Sequence, residues 1–350
     1  MDAILNKSKL SYQDFLQVLS APGPYLFKIV QRSRELTLQR FGRTIQFYVP
    51  LYLSNECDNA CVYCGFNKKR LIDRKTLTPS EIEDNCRNLK QKGFDQILLL
   101  TGESLKTAGV SYLLQAVSIA KKYFSFVGLE VFPMTEEDYG KMVAAGADGL
   151  TLYQETYHRE TYKNMHPEGS KQSYEWRFKS VERALKAGFR KVGMGVLLGL
   201  YDWRFDVPRL AQHAINLQKK YWRSEFTFSF PRLNPLHIIS NVPHPVSDRD
   251  LLQIICSMRL FFPEAGLVLS TRERSGLRDE LLGAGITQIS AGSRTSPGAY
   301  ALLEKSGEQF AVSDTRELGE MLARVIEKGY DPVIKDWELD FAGVKSCRSS

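Results

Sequence analysis

Residues 44–66 read TIQFYVPLYLSNECDNACVYCGF. Of the first ten (44–53), all but Gln46 and Pro50 are β-branched, aromatic or aliphatic, the composition of a strand buried on both faces. A loop follows directly and carries Cys57, Cys61 and Cys64 with the spacing C-x3-C-x2-C. Working outward, the same pattern of apolar run and amphipathic stretch recurs. Further strands are expected at 96–102, 127–134, 148–155, 191–200, 226–233, 266–273 and 286–293. Between them lie helical patterns such as PSEIEDNCRNLKQKG (79–93) and SYEWRFKSVERALKAG (173–188), each ending on a glycine suited to a C-cap. Eight strands alternating with helices predict an α/β fold, a closed (β/α)8 TIM-type barrel. Residues 1–43 read as a helical extension that precedes it. Residues 44–350 read as barrel plus C-terminal segment, with no Pro/Gly/Ser-rich linker to divide them.

The 350 residues are 43% hydrophobic and 25% charged, as in an ordinary globular protein. No apolar run approaches the roughly 20 residues of a spanning helix, so no membrane partner is expected. The N-terminus lacks a signal-peptide pattern, and a cytoplasmic location is expected. Net charge is +7, but the basic residues are interspersed with acidic ones, a mixed solvated surface rather than a nucleic-acid groove.

Three of the six cysteines fall within eight residues, and Cys86, Cys256 and Cys347 are isolated. That distribution points to a metal site in a reducing compartment rather than a disulfide framework. Thiolates on one loop can converge on an iron–sulfur cluster. Three ligands would leave one iron of a four-iron cluster open. Structural zinc wants four closed ligands, and no second Cys or His pair follows; His158 and His166 are about a hundred residues away. A zinc- or nucleic-acid-binding module without catalysis, and cysteines of no metal role, stay open as alternatives. Cys86 and Cys256 lie on helical patterns and read as core, Cys347 as a free surface thiol.

Barrel active sites are assembled at the C-terminal ends of strands, and polar residues gather there. Strand two ends Thr101-Gly102-Glu103, strand three carries Glu130, and strand four ends Gln154-Glu155. Strand seven ends Ser270-Thr271-Arg272-Glu273, and strand eight runs into SAGSRT with Ser290, Ser293 and Arg294. Acidic groups in a barrel mouth are unfavourable unless they bind something. For Glu155 a pair with a surface lysine, and for Arg177, Arg272 and Arg294 purely structural ion pairs, remain open.

The cysteine spacing, with Tyr63 before the last cysteine, resembles the signature of radical S-adenosylmethionine (SAM) enzymes. That resemblance implies a [4Fe-4S] cluster on Cys57, Cys61 and Cys64, with SAM bound at its open iron. One electron then yields methionine and a 5′-deoxyadenosyl radical. It implies SAM contacts from Tyr63, Gly102, Glu103 (ammonium), Arg177 (carboxylate), Glu130 and Gln154. Glu130 and Glu155 are candidates for ribose hydroxyls or the substrate amine. Arg294, Ser290 and Ser293 would form a substrate-carboxylate corner, with Arg272 as second candidate.

FYVPLYLSNECDNACVYCGF, LLLTGES, LEVFPM, LYQETYHRETY, SFPRLNP, STRE, SAGSRTSPGAY and VIKDWE together resemble the 2-iminoacetate synthase family. The resemblance implies Cα–Cβ cleavage of L-tyrosine to 2-iminoacetate (dehydroglycine) and p-cresol, supplying the thiazole of thiamine. It implies thiazole synthase as a partner and flavodoxin or ferredoxin as electron donor. A lyase of the same kind acting on L-tryptophan or another aromatic amino acid is the alternative. The tyrosine lyase of iron-hydrogenase maturation has an added C-terminal cysteine cluster, and Cys347 alone does not supply one.

Overall fold

The computed structural model describes residues 1–233, 241–301 and 306–335. Cys347 and the second half of VIKDWE (336–338) lie outside the described residues. Strand β1 (Thr44–Ser54) pairs in parallel with β2 (Gln96–Thr101) along its second half and with β8 (Gln288–Ser290) nearer its start. From β2 the order continues through β3 (Phe126–Glu130), β4 (Gly149–Thr151), β5 (Lys191–Gly195), β6 (Glu225–Ser229) and β7 (Gly266–Leu269) to β8. Every pairing is parallel, and β1 closes the ring. The expected eight-stranded barrel is therefore observed. A short ninth strand, β9 (Asp331–Val333), adds outside the ring to the start of β1 and was not foreseen.

The strands are shorter than their apolar runs. Residues 152–155 and 196–200 lie beyond the regular strands, joined only by isolated pairings such as Glu155 with Val196, yet all but Tyr153 stay buried at the mouth. Helices form where caps and periodicity agree. Pro79–Gln91 starts with a capping box between Thr78 and Glu81, has Pro in its first turn, and buries Ile82, Cys86 and Leu89. The N-terminal residues do not stand apart. Phe15 stacks on Phe261 at 4.6 Å, and Gln253 Nε2 donates to the carbonyls of Val18, Leu19 and Ala21. Helix Leu26–Phe41 packs against Asp248–Phe261, so these helices share one apolar core with the barrel.

A buried ion pair fixes the end of β8. Arg278 bonds Asp314 and the Ser290 carbonyl, and both charged residues are about 1% exposed. Inside the ring, Gly128, Thr151, Gly193 and Thr227 are small, and a cavity of about 50 Å³ remains below the mouth.

Candidate active site

A register shift near the end of β1, between Tyr52 and Ser54, turns the chain into the cysteine loop. The loop is fixed on three sides by backbone hydrogen bonds. Asp58 N–H donates to the Glu103 carbonyl (3.0 Å), Ala60 N–H to Glu168 (3.1 Å), Val62 N–H to Met165 (3.0 Å) and Gly65 N–H to Gln309 (3.0 Å). Gly102 makes the first of these possible. A Cβ there would stand 2.2 Å from the Glu56 carbonyl oxygen and 3.1 Å from Cys57 Cβ. Its role in this structure is close packing under the loop.

Cys61 is buried, and Cys57 and Cys64 are partly so, resting against Tyr52, Phe66 and Leu100. Burial raises all three thiols, Cys64 to about 11. Such thiols ionise only when something positive binds them. Among the described residues no group of three His, Cys, Asp or Glu side chains gathers around one ion. The donor set and its apolar wall fit a [4Fe-4S] cluster.

Beside the loop lies a charged network. Arg177 Nη1 meets Glu103 Oε1 at 3.1 Å, Arg177 Nη2 meets Glu155 Oε1 at 3.2 Å, and Lys171 Nζ meets the same Glu155 oxygen at 2.7 Å. Arg177 Nε also donates to the Tyr153 carbonyl (2.7 Å), and Asn59 Nδ2 to Glu103 Oε2 (3.0 Å). Two acids and two bases thus form a neutral, buried set. Burial opposes the ionisation of Glu155, but Lys171 and Arg177 outweigh it and hold the carboxyl at about 2. Glu155 has φ 70°, the only positive φ outside glycine among the described residues. A strained backbone of this kind persists where its surroundings over-determine it.

Tyr63 donates its hydroxyl to His166 Nε2 (2.8 Å), because His166 Nδ1 bonds the Tyr162 carbonyl (2.7 Å) and so carries the ring proton. Burial and the neighbouring Lys171 charge lower His166 to about 3, so it is neutral. Glu130 faces the same space and makes no hydrogen bond among the described residues. Burial, then the Glu155 carboxylate, pushes it up to about 7. Thr101 Oγ1 and Gln154 Nε2 are buried without partners among the described residues, as expected of groups meant for a ligand.

The two arginines divide. Arg272 lies over the Phe310 ring at 3.4 Å, and its charge acts on Glu130, Tyr52 and Tyr153, so it belongs to the mouth. Arg294 is about half exposed and pairs with Glu317 at 3.4 Å in an outer pocket shared with Lys92. The expected corner of Arg294 with Ser290 is therefore not formed. Gly292, at φ 56°, turns the chain outward after β8, and its N–H bonds the Arg316 carbonyl (3.0 Å). Ser293 lines that outer pocket, and its hydroxyl has no partner among the described residues. Ser290 stays inside beside the Tyr48 phenol, without a well-formed hydrogen bond among the described residues.

Lys171, Asn59 and His166 were not singled out from sequence. Lys171 and His166 lie in the polar HPEGSKQ stretch after strand four, which reads as an ordinary loop, and Asn59 lies in the cysteine loop itself, where the cysteines draw the eye.

Comparison with known proteins fits this geometry. The radical SAM superfamily matches residues 51–207, and the Biotin and Thiamin Synthesis associated domain matches residues 229–331. The 2-iminoacetate synthase of Salmonella typhimurium is 40% identical over 340 residues, spanning 97% of this chain and 90% of that protein. That of Escherichia coli K12 is 41% identical with the same coverage. The chain belongs to the 2-iminoacetate synthase family. Its chemistry is accordingly that of a radical SAM lyase using a [4Fe-4S] cluster and SAM, and a non-catalytic zinc- or nucleic-acid-binding module is set aside. The [FeFe]-hydrogenase maturase HydG from Carboxydothermus hydrogenoformans is 31% identical with a TM-score of 0.89, covering 95% of this chain and 78% of that one. Methylornithine synthase, at 23% identity and TM-score 0.77, shares the fold. No helix among the described residues is long and apolar enough to cross a membrane.

Proposed function

We propose that the chain cleaves the Cα–Cβ bond of L-tyrosine, releasing 2-iminoacetate and p-cresol. The observation that carries this is 40% identity to a 2-iminoacetate synthase over 97% of the chain, cysteine loop and charged mouth included. Cys57, Cys61 and Cys64 hold the cluster, which with SAM supplies the one-electron chemistry that starts cleavage. The remaining work is positioning and exclusion by the chain's own residues.

Glu103 and Arg177, already 3.1 Å apart, present a carboxylate and a guanidinium side by side. An amino-acid head group fits between them, its ammonium on Glu103 and its carboxylate on Arg177. Tyr63, held by His166, offers a flat face beside the loop. Gln154 and Thr101 supply hydrogen bonds not used among the described residues. Glu130 takes a hydroxyl or ammonium. Arg272, braced on Phe310, fixes the substrate carboxylate in the role expected of Arg294. The apolar wall of Tyr52, Phe66 and Leu100 keeps water from the reacting atoms. A thiazole synthase consumes the labile imine, and a flavodoxin or ferredoxin supplies the electron.

The test is an anaerobic turnover of reconstituted protein with SAM, dithionite and tyrosine, scoring deoxyadenosine, p-cresol and glyoxylate, the hydrolysis product of the imine. All three are expected together. Deoxyadenosine without p-cresol rejects tyrosine and directs the assay to tryptophan.

A further inference from the structure

We propose that Lys171 is a positioning residue for the electron-transfer step: its ammonium compensates charge at the cysteine loop and makes the cluster easier to reduce. The proposal rests on the cluster assignment above and adds a residue which that assignment does not need.

The segment around Lys171 is built against the loop. Gly169 has φ 95°, and a Cβ on it would stand 2.1 Å from Asn59 Oδ1. The Lys171 N–H donates to that same oxygen (2.9 Å), and its carbonyl accepts from the Tyr162 hydroxyl (2.6 Å). Asn59 lies between Cys57 and Cys61, so the lysine backbone is tied to the interval between two ligands. The side chain turns inward, where it is 12% exposed. Its Nζ reaches Glu155 Oε1 at 2.7 Å and lies 5.7 Å from the centroid of Tyr63, the residue before Cys64.

An ammonium has three donors, and among the described residues that of Lys171 donates only to Glu155. A surface lysine that merely neutralised Glu155 would keep its head in water. Arg177 already pairs with that carboxylate oxygen at 3.2 Å. The second cation is explained by the charge of the loop. With Lys171, the set Glu103, Glu155, Arg177 and Lys171 is neutral; without it, one negative charge is left beside three thiolates. Net charge and hydrogen bonds near the sulfurs set the potential of an iron–sulfur centre. Reduction adds one electron to the cluster from an external one-electron donor, and a fixed neighbouring cation favours the reduced form.

The experiment is an anaerobic redox titration of the reconstituted protein with dithionite, followed by the electron paramagnetic resonance signal of the reduced cluster. Lys171→Met is expected to keep its iron and sulfide but to reduce roughly tenfold less readily, a fall of about 59 mV for one electron. Lys171→Arg, which keeps the charge, is expected to titrate like the parent. An unchanged potential in Lys171→Met overturns the proposal, as does an equal fall in Lys171→Arg, which would mark a steric effect. If Lys171→Met does not take up iron, Lys171→Gln is titrated under the same criteria. If the parent protein itself takes up no iron, the cluster assignment fails, and with it the basis of the proposal.

Discussion

Gly102→Ala tests whether the glycine after β2 serves the cysteine loop or touches SAM. The added methyl would lie 2.2 Å from the Glu56 carbonyl oxygen, more than ~1 Å short of van der Waals contact. Both sides of that contact are backbone, so no side chain can swing away. The Gly102 N–H to Ser54 carbonyl bond (2.8 Å) and the Asp58 N–H to Glu103 carbonyl bond (3.0 Å) join the same two segments and must stretch together. Overpacking of this kind costs about 1–3 kcal/mol, and weakening two hydrogen bonds adds about 1 kcal/mol. A destabilisation of about 2–4 kcal/mol is expected, concentrated at the strand end that carries Cys57. The assay is iron and sulfide per chain after anaerobic reconstitution, alongside denaturant unfolding and SAM binding. Reduced iron content with lowered stability is expected. A variant with full iron, parental stability and lost SAM affinity would refute the packing argument and return Gly102 to the role of a SAM contact.

The acidity of Glu130 makes ligand binding pH-dependent. Burial and Glu155 place it at about 7 in the free protein, and a bound ammonium needs it ionised. Affinity therefore rises with pH through 7, by about tenfold between pH 6 and pH 8, and equilibrium dialysis of Glu130→Gln should show a flat profile. Removing one member of the Arg278–Asp314 pair leaves the other buried and uncompensated; Arg278→Met is expected to lose about 3–5 kcal/mol in denaturant unfolding. The two arginines after β7 and β8 separate by kinetics. Arg272→Ala should raise the KM for tyrosine at least about tenfold, the loss of one charged contact. Arg294→Ala, whose partner Glu317 is exposed, should leave it within about twofold; the opposite pattern would restore the corner of Arg294 with Ser290.

The barrel was legible because parallel strands buried on both faces leave continuous apolar runs, and all eight of these form strands. Strand β9 was not, since Asp331-Pro332-Val333 is short, contains proline and has meaning only against the start of β1. The three cysteines, Glu103 and Glu155 were legible as candidates because each follows a strand, and Arg177 through the family resemblance; the structure gathers the last three into one charged set. The charged partner of Glu155 was foreseen only as a surface lysine, yet Lys171 is buried. Its burial depends on a contact with Asn59 across 112 positions, which no local pattern encodes. The direction of Arg294 turned on one dihedral at Gly292, and a sequence does not say which way such a turn goes.

The charged set at the mouth bears on how the proposed amino-acid head group would be bound so close to sulfur. Four buried charges would be poor stabilisers by themselves, since hydrophobic replacements of such pairs are often neutral or better. Their arrangement here is specific: two acids and two bases, with Glu155 shared by both cations and Glu103 engaged by only one. On the reading proposed above, the Glu103–Arg177 contact opens to admit an ammonium and a carboxylate without leaving either member unpaired. Glu155, fixed at φ 70° and by two cations, has no such freedom. It holds Arg177 in place while Glu103 exchanges its partner. The neutral sum then survives binding, because a neutral head group enters a neutral set.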